Sequence, residues 1–115
     1  MDQDKQFEAE IAPFFWVEYK GGCSVCLNAG TYLQEVFDAA GDFEGGGYDW
    51  ASLAQVFLEE RLPALAEKIE FDPEADLFSA CSQDGQALRS FIQAFKGACE
   101  DRALILDLLS RAEPD

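Results

Sequence analysis

Ala12-Pro13-Phe14-Phe15-Trp16-Val17-Glu18-Tyr19, followed by Lys20-Gly21-Gly22 and then Cys23-Ser24-Val25-Cys26-Leu27, is the passage on which the fold turns. Its first run is dense in aromatic and β-branched side chains, which suit a pleated, half-buried surface. The glycine pair supplies the reversal. The passage therefore reads as a β-hairpin.

Downstream, Thr31 and Gln34 stand in capping-box spacing, which predicts a helix start there. Leu33, Val36, Phe37 and Ala40 recur at i, i+3, i+4 and i+7, and Gly41 supplies the stop. Gly41-Asp42-Phe43-Glu44-Gly45-Gly46-Gly47-Tyr48 reads as a loop, with the glycine run as a flexible connector. Asp49 is expected to N-cap a helix carrying Leu53, Val56, Phe57 and Leu58. Pro63 must kink or restart that helix, since it has no N–H to donate, and the helix is expected to resume from Ala64 to Lys68.

A second hairpin is written in Ile69-Glu70-Phe71 and Leu77-Phe78-Ser79-Ala80-Cys81, joined by the turn-rich Asp72-Pro73-Glu74-Ala75-Asp76. Asp84 then opens a helix whose Leu88, Phe91, Ile92 and Phe95 mark one apolar face, and Asp101 caps a last helix with Leu104, Ile105, Leu108 and Leu109. Residues 1–10 and 113–115 read as polar, loosely held ends. The order is hairpin, helix, helix, then hairpin, helix, helix, although the two halves share little residue identity. The expectation is an α+β fold, with two hairpins forming an antiparallel sheet and about four helices packed against it. With 115 residues, 49% of them hydrophobic, the chain is expected to form one domain over 1–115.

Charge narrows the class of partner. Twenty-three acidic side chains against eight basic ones give a formal charge of −15, well beyond the roughly 2 to 8 units that solubility asks of a small domain. There is no Lys or Arg between Lys20 and Arg61, nor between Lys68 and Arg89. Such a field repels phosphate backbones and anionic lipid and favours a cationic partner, so neither nucleic acid nor membrane is an expected direct ligand. No apolar run reaches the roughly 18 to 20 residues that cross a bilayer, and Met1-Asp2-Gln3-Asp4-Lys5 lacks the character of a signal peptide, which gives a cytoplasmic expectation.

Catalytic equipment is sparse. The chain has no histidine, the commonest general base and partner of a nucleophile. Cys23-Ser24-Val25-Cys26 has C-x-x-C spacing, but on a strand side chains three apart face opposite sides of the sheet, so half-buried thiols are favoured over a redox pair. Cys81 and Cys99 are isolated, which leaves a closed zinc site short of ligands. Asp72, Glu74 and Asp76 alternate as at the start of an EF-hand loop, yet Leu77 stands where the glycine belongs and Gln83 where the final Glu belongs. The expectation is no enzyme, no metal and no cofactor. What remains is a set of aromatic residues among carboxylates: Glu35, Asp38, Asp42, Phe43, Glu44, Tyr48, Asp49 and Trp50. These suit an Arg- or Lys-bearing protein surface, because aromatic anchors supply contact energy and opposite charge speeds association. Tyr48 and Trp50 as plugs of the core remain the alternative.

Three stretches together carry a family resemblance: Leu27-Asn28-Ala29-Gly30, Gly47-Tyr48-Asp49-Trp50, and Lys68-Ile69-Glu70-Phe71-Asp72-Pro73-Glu74-Ala75. From about Phe14 to Ala112 the chain resembles the immunity protein 51 family of bacterial polymorphic toxin systems. It departs from the family pattern at Gly46, where a polar residue is usual, and at Asp76, where a glycine is. The resemblance implies a cytoplasmic antidote that binds a cognate protein toxin domain, without identifying the toxin's activity. Combined with the charge, it suggests occlusion of a basic active site. Two alternatives stand beside it: a thiol redox protein using Cys23 and Cys26, and an acidic interaction module or nucleic-acid mimic with a non-toxin partner. The oligomeric state is open.

Overall fold

A computed structural model of the chain describes residues 2–113, and side chains within 5–113. The elements run α1 (Asp2–Ile11), β1 (Phe15–Tyr19), β2 (Gly22–Asn28), α2 (Gln34–Ala40), α3 (Gly47–Arg61), a 3-10 turn at Pro63–Leu65, β3 (Glu70–Phe71), β4 (Leu77–Ser82), α4 (Gly85–Cys99) and α5 (Arg102–Leu109). The α+β class and both hairpins are as the sequence predicts. The four strands form one antiparallel sheet in the order β1-β2-β4-β3, so the hairpins join through their second strands, and β1 and β3 are its edges.

Strand alternation sorts the two faces. Cys23, Val25 and Leu27 of β2 lie opposite Ser82, Ala80 and Phe78 of β4, and all six are buried. Against this face pack α1, α3 and α4. From α4 come Leu88, Phe91, Ile92 and Phe95, at the predicted spacing, and from α3 come Trp50, Leu53 and Phe57. Trp50 is the hub. Its ring lies 5.2–6.3 Å from those of Phe14, Tyr32, Phe37, Phe78 and Phe95, mostly edge-on or tilted, with Tyr32 stacked. Aromatic pairs in such arrangements add about 0.5–1.5 kcal/mol beyond the area they bury.

Four local expectations are corrected. The capping box of Thr31 and Gln34 does not form: Leu33 takes a left-handed conformation at the helix start, no side chain caps it, and Gln34 turns its amide to the Glu44 carbonyl at 2.9 Å. Asp49 is not an N-cap, since α3 starts two residues earlier, at Gly47. After Pro63 the chain makes a single 3-10 turn rather than a resumed helix to Lys68. Residues 5–10 are not a loose end, because α1 runs through them and buries Phe7 and Ile11; Arg89 lies 4.1 Å over the Phe7 ring. Of the other expected loose end, residues 114 and 115 lie outside the described residues. The stops and caps at Gly41, Asp84 and Asp101 are found as expected. The Asp84 carboxylate accepts from the N–H groups of Gln86 and Ala87, and that of Asp101 from Leu104.

Candidate protein interface

The glycine loop decides where the acidic side chains gather. It is not a flexible connector. Inside it the buried Asp49 carboxylate reaches back, and one oxygen, Oδ2, accepts the N–H groups of Glu44 at 2.7 Å and Gly45 at 2.9 Å. The Gly47 N–H then donates to the Ala75 carbonyl at 3.0 Å, which docks the loop on the turn of the second hairpin. The approach is so close that a Cβ on Gly46 would sit 2.7 Å from the Ala75 oxygen, and one on Gly47 would collide with the Glu74 and Leu77 carbonyls. Only glycine allows backbone to lie on backbone in this way.

This docking joins the two basic-free stretches. From the first come exposed Glu35 and Asp38 on α2 and Asp42 and Glu44 on the loop; from the second come Glu74 and Asp76 on the hairpin turn. The basic side chains that do form ion pairs are spent elsewhere: Arg111 on Glu60 and Asp107, Lys68 on Asp84, and Lys96 on Glu100. Among the described residues no ion pair reaches Glu35, Asp38, Asp42, Glu44, Glu74 or Asp76.

The eight residues proposed from sequence therefore divide. Glu35, Asp38, Asp42 and Glu44 are exposed, as is Tyr48 at 44%. Phe43, Asp49 and Trp50 are buried and present no surface to a partner: Phe43 packs on Phe37, Asp49 organises the loop, and Trp50 centres the core. The Tyr48-Asp49-Trp50 string thus places one exposed ring directly before two structural residues.

The second surface was not singled out by the sequence reading. The sheet face that bears Cys23, Val25, Leu27, Phe78 and Ala80 is buried, and the other carries Phe15, Val17 and Tyr19 of β1 at 41%, 41% and 51% exposure. Ser24 and Cys26 of β2, with Leu77, Ser79 and Cys81 of β4, continue that face, and Glu70 of β3 closes it. Alternation in β1 was the available signal, but Phe15-Val17-Tyr19 and Trp16-Glu18 could each have been the inner set.

Cys23 and Cys26 have no pairing geometry. Cys23 faces the helices and Cys26 the open side, each on its own surface of β2. Burial raises the Cys23 thiol, with Glu18 and Asp84 adding to it, and burial likewise raises Cys99. Cys81 is raised by desolvation and then by the Glu70 and Asp72 carboxylates. Raised thiols carry little thiolate at neutral pH, the opposite of what redox chemistry needs. Among the described residues no three His, Cys, Asp or Glu side chains converge as metal ligands, and no helix is long and apolar enough to cross a membrane.

Comparison with known proteins returns one finding: the family model described as Immunity protein 51 matches residues 14–114. Neither a curated protein nor a solved structure matches the chain.

Proposed function

The chain belongs to the immunity protein 51 family, and from that premise we propose that it is a cytoplasmic antidote that binds and neutralises a cognate bacterial toxin domain without chemistry of its own. The observation that supports the mechanism is the contact of Gly47 with Ala75, which brings the two basic-free stretches together, with Glu35, Asp38, Asp42, Glu44, Tyr48, Glu74 and Asp76 all exposed. A surface of this kind complements a basic active site. Carboxylates occupy the places meant for substrate phosphates, and the low-dielectric contact strengthens each pairing. A nuclease-like toxin is the class such a surface suits best.

The reading has a kinetic consequence. Exposed charges steer encounter over a screening length of about 10 Å at 0.1 M salt, which shrinks to about 3 Å at 1 M. Association of the purified protein with its cognate toxin domain is expected to slow at least tenfold between about 20 and 500 mM salt. An association rate indifferent to salt would remove charge steering from the mechanism, and no complex at micromolar concentration would remove neutralisation by binding.

A further inference from the structure

The acidic surface accounts for speed and selectivity of encounter, but exposed carboxylates alone do not hold a partner, since solvent-screened ion pairs are individually weak. A tight complex also needs an apolar anchor that water leaves on docking. Resting on the toxin-binding reading, we propose that the open face of the sheet is the anchor surface for the cationic toxin domain, with Phe15, Val17 and Tyr19 seating its apolar contact and Glu70 and Asp72 facing its basic side chains.

Three observations support the placement. Phe15, Val17 and Tyr19 occupy alternate positions of one edge strand, and with Tyr48 they are the large hydrophobic side chains left exposed among the described residues. Three such residues in a row form a continuous stripe rather than scattered single exposures. Across the face the character changes: the small side chains of Ser24, Cys26, Ser79 and Cys81 occupy the middle, and β3 bears Glu70 opposite Cys81, with the Asp72 N–H donating to the Ser79 carbonyl just beyond it. Finally, the face runs into the acidic surface. Leu77 pairs with Asn28 at the end of the sheet where Phe15 lies, and the Leu77 carbonyl is also one of the groups against which Gly47 is packed. One partner can cover both.

Charge selects this occupant over a second copy. Two chains stacked through their open faces would each carry a formal charge of −15 and repel one another. A cationic domain meets the opposite condition.

The test uses the full chain and the toxin domain that it neutralises in co-expression, with Val17→Lys and Glu70→Lys set against Gln93→Lys, which places the same charge on the exposed side of α4 in the other layer. Val17→Lys is expected to raise Kd at least 100-fold and Glu70→Lys about tenfold, while Gln93→Lys stays within threefold of the unsubstituted chain. Because Val17 is exposed, the variant should keep the far-UV circular dichroism of the parent. An unsubstituted measurement removes folding from the question: alkylation of Cys81 at pH 9 is expected to slow at least tenfold in the complex. Val17→Lys binding within threefold of Gln93→Lys, or Cys81 left unprotected, overturns the anchor while leaving neutralisation standing. Absence of any complex with the unsubstituted chain overturns both. Sedimentation showing a dimer that Val17→Lys dissolves assigns the face to a second copy and overturns the proposal.

Discussion

Replacing Asp49 by alanine removes an acceptor that two backbone donors share. The Gly45 N–H is buried, so losing its charged partner costs about 1.5–3 kcal/mol. The Glu44 N–H is only part-buried and can take water in exchange, which limits its share to about 0.5–1.5 kcal/mol. Together they predict a loss of about 2–4.5 kcal/mol, a large fraction of the stability of a small domain. Asparagine offers a graded comparison. Both bonds end on the same oxygen, Oδ2, so an amide oxygen placed there keeps both hydrogen bonds without the charge, and about half of the loss is expected. Asp42→Ala removes an equal charge from an exposed position, and should stay within about 0.5 kcal/mol of the parent. Urea unfolding followed by tryptophan fluorescence reads all three, as shifts in midpoint at unchanged slope. If Asp49→Ala is no less stable than Asp42→Ala, the carboxylate does not organise the loop, and Asp49 returns to the list of residues available to a partner.

Two glycines give opposite expectations. Gly47→Ala should destabilise by several kcal/mol, because its Cβ meets carbonyl oxygens of the hairpin turn, whereas Gly97→Ala, in open space on α4, should stabilise by about 0.5–1 kcal/mol in the same urea titration. With their raised pKa values, Cys23, Cys81 and Cys99 should react with a thiol reagent more slowly at pH 7 in the folded chain than in guanidinium, and Cys99, the most deeply buried, slowest of the three. Hydrogen bonds from Arg111 hold Glu60 and Asp107 below their ordinary values, so the stability they contribute is present above the unfolded carboxylate range near pH 4 and is lost as pH falls through the lower folded values. The melting-temperature gap between the parent and Arg111→Ala should accordingly hold from pH 7 to about 5 and close below pH 4; a gap that widens on acidification would contradict the pairing.

Sequence patterns with one physical solution were readable. The hairpins followed from β-branched and aromatic runs flanking glycine or Asp-Pro turns, and α4 and α5 from single apolar stripes behind Asp84 and Asp101, whose short carboxylates reach the free N–H groups of their own helices. Reading failed where a side chain had two uses. Asp49 stands where an N-cap is expected, but its carboxylate points back to Glu44 and Gly45, which depends on the tertiary closeness of the loop. Gln34 likewise left its local partner for the Glu44 carbonyl. In α1 only Phe7 and Ile11, four apart, signal a buried face, too little against a polar run. The meeting of the two acidic stretches was half legible. The basic-free intervals are in the sequence, but their meeting depends on the contact between Gly47 and Ala75, a relation between residues far apart in the chain. The family resemblance read over Phe14 to Ala112 agrees with the span that the family model matches, 14–114.

The most direct test of the account is survival of cells expressing a candidate cognate toxin domain, with and without the chain co-expressed. Neutralisation by binding predicts restored growth together with a stoichiometric complex recovered from the same cells. It also predicts that rescue weakens when Glu35, Asp38, Asp42 and Glu44 are jointly replaced by lysine in a chain that still folds. Cells that die at the same rate with the chain present would contradict the claim.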